Sequence, residues 1–274
     1  MGIDYLDKFK GTLFGVAIGD TLGRPFEGLI RMRVHSQFTD FKEFIKSNKK
    51  LFYTYTDDTQ LTLHTAQALI DGWGFKTDYL IREYIKWLDD PPIGPGFGCK
   101  SSIEKLKYGI DWKEAASKSG GNGTAMRVAP IALFYCKDPK ALEHAAIQSS
   151  VITHSHPAAS AGALVTASSQ AGVKSPFFIE EYLGKAFVHP YAISTVACAI
   201  FIFLKHTSSF EDCIYELATA GGDSDTVAAI GGSLAGSYFG LKKMPVKLIN
   251  LTKESQKTIE ISEELFKRFK KKYV

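Results

Sequence analysis

Two acidic clusters carry most of the chemistry this chain could perform. One reads Thr56-Asp57-Asp58-Thr59; the other, about 165 residues later, reads Gly221-Gly222-Asp223-Ser224-Asp225-Thr226. Each precedes a run of small and apolar residues with helical spacing, so each marks a helix start. An N-cap there needs one side-chain oxygen for the free backbone N–H groups. Both clusters hold more oxygen than a cap uses. The Gly221-Gly222 pair lets the backbone turn tightly, so that Asp223, Asp225 and the Thr226 hydroxyl can converge. Carboxylates brought together repel one another unless a positive group lies between them, and helix N-termini offset only part of that cost. A hard divalent cation bound through oxygen answers the repulsion. The sequence holds no HExxH or Cys/His ligand set that would suit a softer metal.

Further candidates lie around these clusters. Asp20, in Gly19-Asp20-Thr21-Leu22-Gly23, reads as a structural carboxylate bonding backbone in its own turn. Glu27 follows in a loop flanked by proline and glycine, either as a solvated surface glutamate or leaning into a cleft. His154 and His156 stand two apart before an alanine-rich stretch. Packing or capping is the ordinary role of such a pair, and His154 is assigned a ligand contact. Met126-Arg127, after the glycine-rich Ser119 to Gly123 loop, reads as core followed by a buried ion pair between Arg127 and a cluster aspartate. A second loop, Asp89 to Gly98, is rich in proline and glycine and allows close backbone approach to a ligand.

Helices must position all of this. Apolar residues recur at helical spacing over Phe9–Ile18, Gln60–Ile70, Tyr79–Leu88, Pro139–Ser150, His156–Gln170, Tyr191–Lys205, Val227–Tyr238 and Thr258–Lys270. Strand signals are scarce. The stretch 191–205 is apolar nearly all round and reads as a central core helix. The glycines and alanines within 227–238 allow close helix–helix approach. The expectation is an all-α fold in one domain over residues 1–274, since no proline- or serine-rich linker divides the chain.

Composition excludes several classes. The hydrophobic fraction of 45% and charged fraction of 23% suit a soluble globular protein. The net charge of +4 comes mostly from Lys267, Arg268, Lys270, Lys271 and Lys272; without these five, 28 basic side chains face 29 acidic ones. That is a cationic helix end rather than a nucleic-acid footprint. The cysteines at 99, 136, 198 and 213 form no CxxC pair and read as free thiols. No stretch is apolar enough to span a bilayer or to serve as a signal core. A cytosolic monomer without membrane or nucleic-acid contacts is expected.

The motifs resemble those of the ADP-ribosylglycohydrolases, which include dinitrogenase-reductase-activating, ADP-ribosylarginine and ADP-ribosylserine hydrolases. The likeness runs in order along nearly the whole chain: Gly15 to Gly23 with Glu27, Tyr55 to Thr59, Gly121 to Arg127, Thr153 to His156, and Gly221 to Ile230. It implies an all-α fold with two Mg2+ or Mn2+ ions held by Thr56, Asp57, Asp58, Asp223, Asp225 and Thr226. It implies that Glu27 gates or assists catalysis, that Gly121, Asn122 and Gly123 lie along ADP-ribose, that His154 contacts a ribose, and that the segment around Gly96 and Gly98 cradles the pyrophosphate. Cys99-Lys100 departs from the more usual threonine-rich sequence there.

The expected reaction is hydrolysis at C1″ of ADP-ribose linked to a protein or small molecule, releasing ADP-ribose. Asp57, Asp58 or Asp225, or else Glu27, takes the proton of the attacking water. The alternatives are an ADP-ribose-binding module without turnover and a structural homologue whose metals only stabilise the fold; the complete acidic set favours the enzyme. The acceptor group is not written in the motifs, and its discrimination is expected in residues 31–50, 90–100 and 170–185.

Overall fold

The structure, a computed structural model, describes residues 2–38, 40–47, 54–171 and 187–274. Parts of two expected acceptor loops, 39 and 48–50 within 31–50 and 172–185 within 170–185, lie outside the described residues. What is described is helical, in the order α1 (Tyr5–Gly23), α2 (Arg31–His35), α3 (Phe41–Ser47), α4 (Asp57–Gly72), α5 (Thr77–Asp89), α6 (Phe97–Lys107), α7 (Trp112–Ala115), α8 (Ala129–Tyr135), α9 (Pro139–Val151), α10 (Pro157–Gln170), α11 (Ala192–Lys205), α12 (Phe210–Ala218), α13 (Ser224–Phe239), α14 (Val246–Leu251) and α15 (Ser255–Tyr273). Among the described residues there are isolated β-bridges but no β-strand. The eight sequence-derived helices are all present, each within a few residues of its expected range.

The centre of the molecule is the antiparallel pair α1 and α13. Glycines at 11, 15, 19 and 23 form one row on α1, four residues apart. They face Gly236, Gly232, Ala228 and Ser224 on α13. A methyl group at Gly11, Gly15, Gly19 or Gly23 would lie 2.4, 2.0, 1.9 or 2.3 Å from the carbonyl oxygen of the facing residue. The two backbones therefore touch, and the side chains that flank the seam fill the core. Phe14, Ile18 and Leu22 pack with Val227, Ile230 and Leu234 on one side. Phe9 and Leu13 pack with Ile261, Leu265 and Phe269 of α15 on the other. Gly15→Ala is expected to cost about 3 kcal/mol or more, because backbone oxygen cannot move aside as a side-chain tip can. An unchanged urea midpoint for that variant would contradict the contact.

This seam sets the geometry of the site. The C-terminal end of α1 and the N-terminal end of α13 meet, and the N-terminus of α4 lies against them through Asp20. The expected central role of 191–205 is corrected: α11 is peripheral. It buries Val196, Ala199, Ile200 and Ile202, while Phe201 and Leu204 are exposed, Leu204 at 58%. The cationic end of α15 lies against aromatic faces of its own fold, with Arg268 and Lys271 over Trp73. All four cysteines are free. No helix among the described residues is long and apolar enough to cross a membrane.

Candidate functional site

Asp20 organises the first acidic cluster. Its carboxylate is fully buried and accepts from the Thr56 N–H (2.9 Å), the Thr56 hydroxyl (2.9 Å), the Thr59 N–H (3.0 Å) and the Thr59 hydroxyl (2.6 Å). It thus ties the end of α1 to the first turn of α4. Its role is structural, as expected, but its partners lie 36 and 39 residues away rather than in its own turn. Thr56 is the N-cap of α4 and accepts from the Asp58 N–H at 3.4 Å. Capping therefore takes one lone pair of the Thr56 hydroxyl and neither of the Asp57 and Asp58 carboxylates.

Asp58 is where the site shows a want. Its Oδ2 accepts from the Thr226 hydroxyl at 3.3 Å and lies 3.3 Å from the Thr56 hydroxyl oxygen, whose hydrogen is nearer Asp20. Its Oδ1 is buried and, among the described residues, has no hydrogen-bond partner. A buried carboxylate oxygen left unpaired is costly. Burial, followed by repulsion from Asp20, Asp225, Asp57 and Asp223, pushes the Asp58 carboxyl well above the ordinary carboxylate range.

The second cluster reaches the same place from α13. Gly221 and Gly222 have φ of +80° and +74°. A methyl on either would strike backbone, 2.5 Å from the Arg31 nitrogen or 2.1 Å from the Val188 carbonyl oxygen. Backbone bonds lace this turn to its neighbours: Gly28 N–H to Gly222 O and Gly222 N–H to Leu29 O, both 2.8 Å, and Asp223 N–H to Val188 O at 3.0 Å. The loop that carries Glu27 is thereby fastened beside Asp223. Glu27, Asp223 and Asp225 each bring a carboxylate oxygen within 4.8 Å of the others. Asp223 stands at the N-cap position of α13 yet makes no side-chain cap bond; its carboxylate accepts instead from the Asn122 amide. Burial, then Asp223, Asp20 and Glu27, raise the Asp225 carboxyl well above its ordinary value. Burial and Asp223 raise Glu27.

Four aspartates and a glutamate thus crowd together, and among the described residues no lysine or arginine forms a salt bridge with any of them. The expected ion pair of Arg127 is corrected on this point. Arg127 is buried, but it donates to Cys99 Sγ, the Ser149 carbonyl and the Thr153 hydroxyl, and it lies over the Tyr84 ring. The clusters thus retain a deficit of positive charge, and the donor set of carboxylates and hydroxyls suits Mg2+ or Mn2+.

Glycine loops border the acidic site. Gly96 is the N-cap of α6 and donates its N–H to Asp57 at 3.2 Å. The next three N–H groups, of Phe97, Gly98 and Cys99, have no partner within the helix. The α6 helix itself is not legible from the sequence, because the proline- and glycine-rich run before it hides its start. Gln60, one turn after Asp57, holds that run in place: its amide accepts from Trp87 Nε1 and the Ile93 N–H and donates to the Pro91 carbonyl. A methyl on Gly98 would sit 3.1 Å from His154 Nε2, and one on Gly123 would sit 3.4 Å from the same atom. Gly121 pairs with Tyr191, and Asn122 joins Asp223 to the Thr195 hydroxyl (3.0 Å). The structure therefore gathers Gly98, Gly121, Asn122, Gly123 and His154 on one side of the acidic cluster. His156 caps α10 through Nδ1, as the ordinary reading allows. Gln60, Val188, Tyr191 and Thr195 carry no sequence signal of their own; only the fold brings them here.

Known proteins share this chain's sequence pattern and its fold. The family model described as ADP-ribosylglycohydrolase matches residues 1–185 and 169–274. The chain is 25% identical over 261 residues to ADP-ribosyl-[dinitrogen reductase] glycohydrolase of Rhodospirillum rubrum, covering 87% of this chain and 88% of that one. It is 27% identical over 298 residues to ADP-ribosylarginine hydrolase Tri1 of Pseudomonas putida (strain GB-1), covering 96% and 79%. A solved chain titled ADP-ribosylglycohydrolase-related protein complex superposes with a TM-score of 0.78 at 23% identity, covering 97% of this chain and 99% of that one, which speaks to the fold.

Proposed function

This chain belongs to the ADP-ribosylglycohydrolase family, and from that premise we propose that it is a metal-dependent hydrolase that removes ADP-ribose from a modified protein or small molecule. The observation that carries this reading is the cluster of buried Asp57, Asp58 and Asp225 with half-buried Asp223, and its unpaired Asp58 Oδ1, bordered by glycine loops. Asp57, Asp58, Asp223 and Asp225, with the hydroxyls of Thr56 and Thr226, would hold two Mg2+ or Mn2+ ions. When bound, the ions supply positive charge that orients ribose oxygens and acidifies a water.

The chain's own groups do the rest. The N–H groups at the start of α6 take the diphosphate, as oriented amides bind anions, and the backbone of Gly121 to Gly123 lies along the ribose. His154 contacts the ligand from between Gly98 and Gly123. Glu27 is exposed enough to meet water, and burial together with Asp223 raises its carboxyl above the ordinary value, which makes it a stronger proton acceptor. Water adds its hydroxyl to C1″, the C1″–acceptor bond breaks, and the proton ends on the departing acceptor. The oxocarbenium character of such cleavage places positive charge where the surrounding carboxylates can stabilise it.

The test is release of free ADP-ribose from ADP-ribosylarginine and ADP-ribosylserine peptides, each with Mg2+, with Mn2+ and with chelator. Metal-dependent release from either peptide is the expected result and also identifies the acceptor. ADP-ribose binding without release from any ADP-ribosylated acceptor would overturn the enzymatic reading in favour of a binding module.

A further inference from the structure

Arg127 is the most anomalous buried group outside the acidic cluster. It is 2% exposed, and its partners are neutral: a thiol, a carbonyl, a hydroxyl and a phenol ring. Its shortest bond runs from NH2 to the Thr153 hydroxyl at 2.6 Å, and the same oxygen lies 2.9 Å from His154 Nδ1. Thr153 and His154 are both buried. At its other end, Nε2 has no hydrogen-bond partner among the described residues and faces Gly98 and Gly123, where a methyl group would sit 3.1 and 3.4 Å from it.

We propose that Arg127 and Thr153 are positioning residues that fix His154 as a neutral ring with its proton on Nε2, aimed at an acceptor oxygen of the ligand. Counting protons gives the direction. A guanidinium only donates, so the Thr153 oxygen spends a lone pair on Arg127. The threonine has one hydrogen, and among the described residues the acceptor within its reach is His154 Nδ1. Were Nδ1 protonated, the oxygen's second lone pair would take that N–H and the hydroxyl hydrogen would stay buried without an acceptor, a costly arrangement; the satisfied arrangement leaves Nδ1 bare and the ring proton on Nε2. The charge of Arg127 opposes a second proton, as does burial, which comes first among the causes that hold the imidazole down at about 3. The other titratable groups near Arg127 are the Cys99 thiol, pushed up to about 11 by burial, the Tyr84 phenol, also raised by burial, and the Asp57 carboxyl, which the guanidinium draws down against the rise from burial. His154 is therefore a donor at every working pH, whereas a solvated histidine would change its charge between pH 5 and 8. The identity of the ligand rests on the proposed function; the state of the ring does not.

The experiment is nitrogen NMR of the full chain labelled at histidine, with His154→Gln used to assign the ring, from pH 5 to 8. The expected spectrum has a protonated Nε2 and an unprotonated Nδ1, unchanged across the range. A proton on Nδ1, or an imidazolium at pH 6, would overturn the proposal. A second arm measures ADP-ribose affinity in the presence of Mg2+. Thr153→Val is expected to bind about tenfold more weakly, the order of one lost donor, and Thr153→Ser to restore most of the affinity. Unchanged affinity and ring state in Thr153→Val would also overturn it. Should Thr153→Val fail to fold, the wild-type spectrum still decides. Should wild-type protein not bind ADP-ribose, the substrate reading fails while the ring state stands or falls on its own spectrum.

Discussion

Asp225→Asn is expected to lose about three orders of magnitude in ADP-ribose release, and Asp58→Asn as much. The charge stabilisation a metal supplies at a reacting centre is several kcal/mol, and each 1.36 kcal/mol is tenfold in rate. Both residues sit where the two clusters meet, Asp58 bonded to Thr226 across the seam and Asp225 grouped with Glu27 and Asp223. The accompanying stability change should have the opposite sign to that of an ordinary core mutation. Each substitution removes one buried negative charge from a set of mutually repelling carboxylates. Metal-free variants should therefore melt at or above the metal-free parent. Activity lost together with a much lower melting temperature would mean that the aspartates hold the fold rather than perform the chemistry.

The second large effect concerns metal and pH together. Burial raises Asp57 from 3.8 to about 7, with repulsion from Asp20 adding to it. Asp20 is raised to about 6 by burial, against the hydrogen bonds from Thr59 and Thr56 that lower it. A carboxyl with a folded pKa above its unfolded value keeps its proton longer in the folded state. The folded protein then binds more protons than the unfolded one, so stability falls as pH rises through that window. Chelated protein should accordingly lose stability between about pH 4 and 7. Divalent cation should restore it at pH 7.5, by about 2.7 kcal/mol at a hundred times Kd, a melting shift on the order of 5 °C. At pH 4, where the carboxyls are protonated, the same cation should do little. Thermal melts at the two pH values, with and without chelator, check this; a cation effect as large at pH 4 as at pH 7.5 would contradict it.

The acidic clusters were legible in the sequence because consecutive carboxylates exceed what helix capping can use. In the structure Thr56 caps α4, Asp223 makes no cap bond, and Asp58 of the first cluster meets Thr226 of the second. The all-α class was legible for a similar reason, since helical periodicity is a local property. What escaped were features that need two distant segments. The glycine row of α1 means little until α13 supplies its facing carbonyls. Arg127 looked like half of an ion pair because buried arginines usually have a carboxylate, and only the fold shows a thiol and a hydroxyl in its place. The stretch 191–205 looked central because it is apolar, yet α11 turns Phe201 and Leu204 outward. Periodicity reports that a helix is apolar and is silent about how many of its sides are covered.

The central claim is that the two acidic clusters form one metal-dependent hydrolytic site. The most direct test takes chelated protein, adds Mn2+ stepwise, and follows ADP-ribose release from an ADP-ribosylated peptide that the metal-replete protein cleaves. The account predicts no release at the start and a rise that saturates as two equivalents are bound, with Asp58→Asn remaining inactive throughout. Release that is full under chelation, or that ignores added Mn2+, would contradict it.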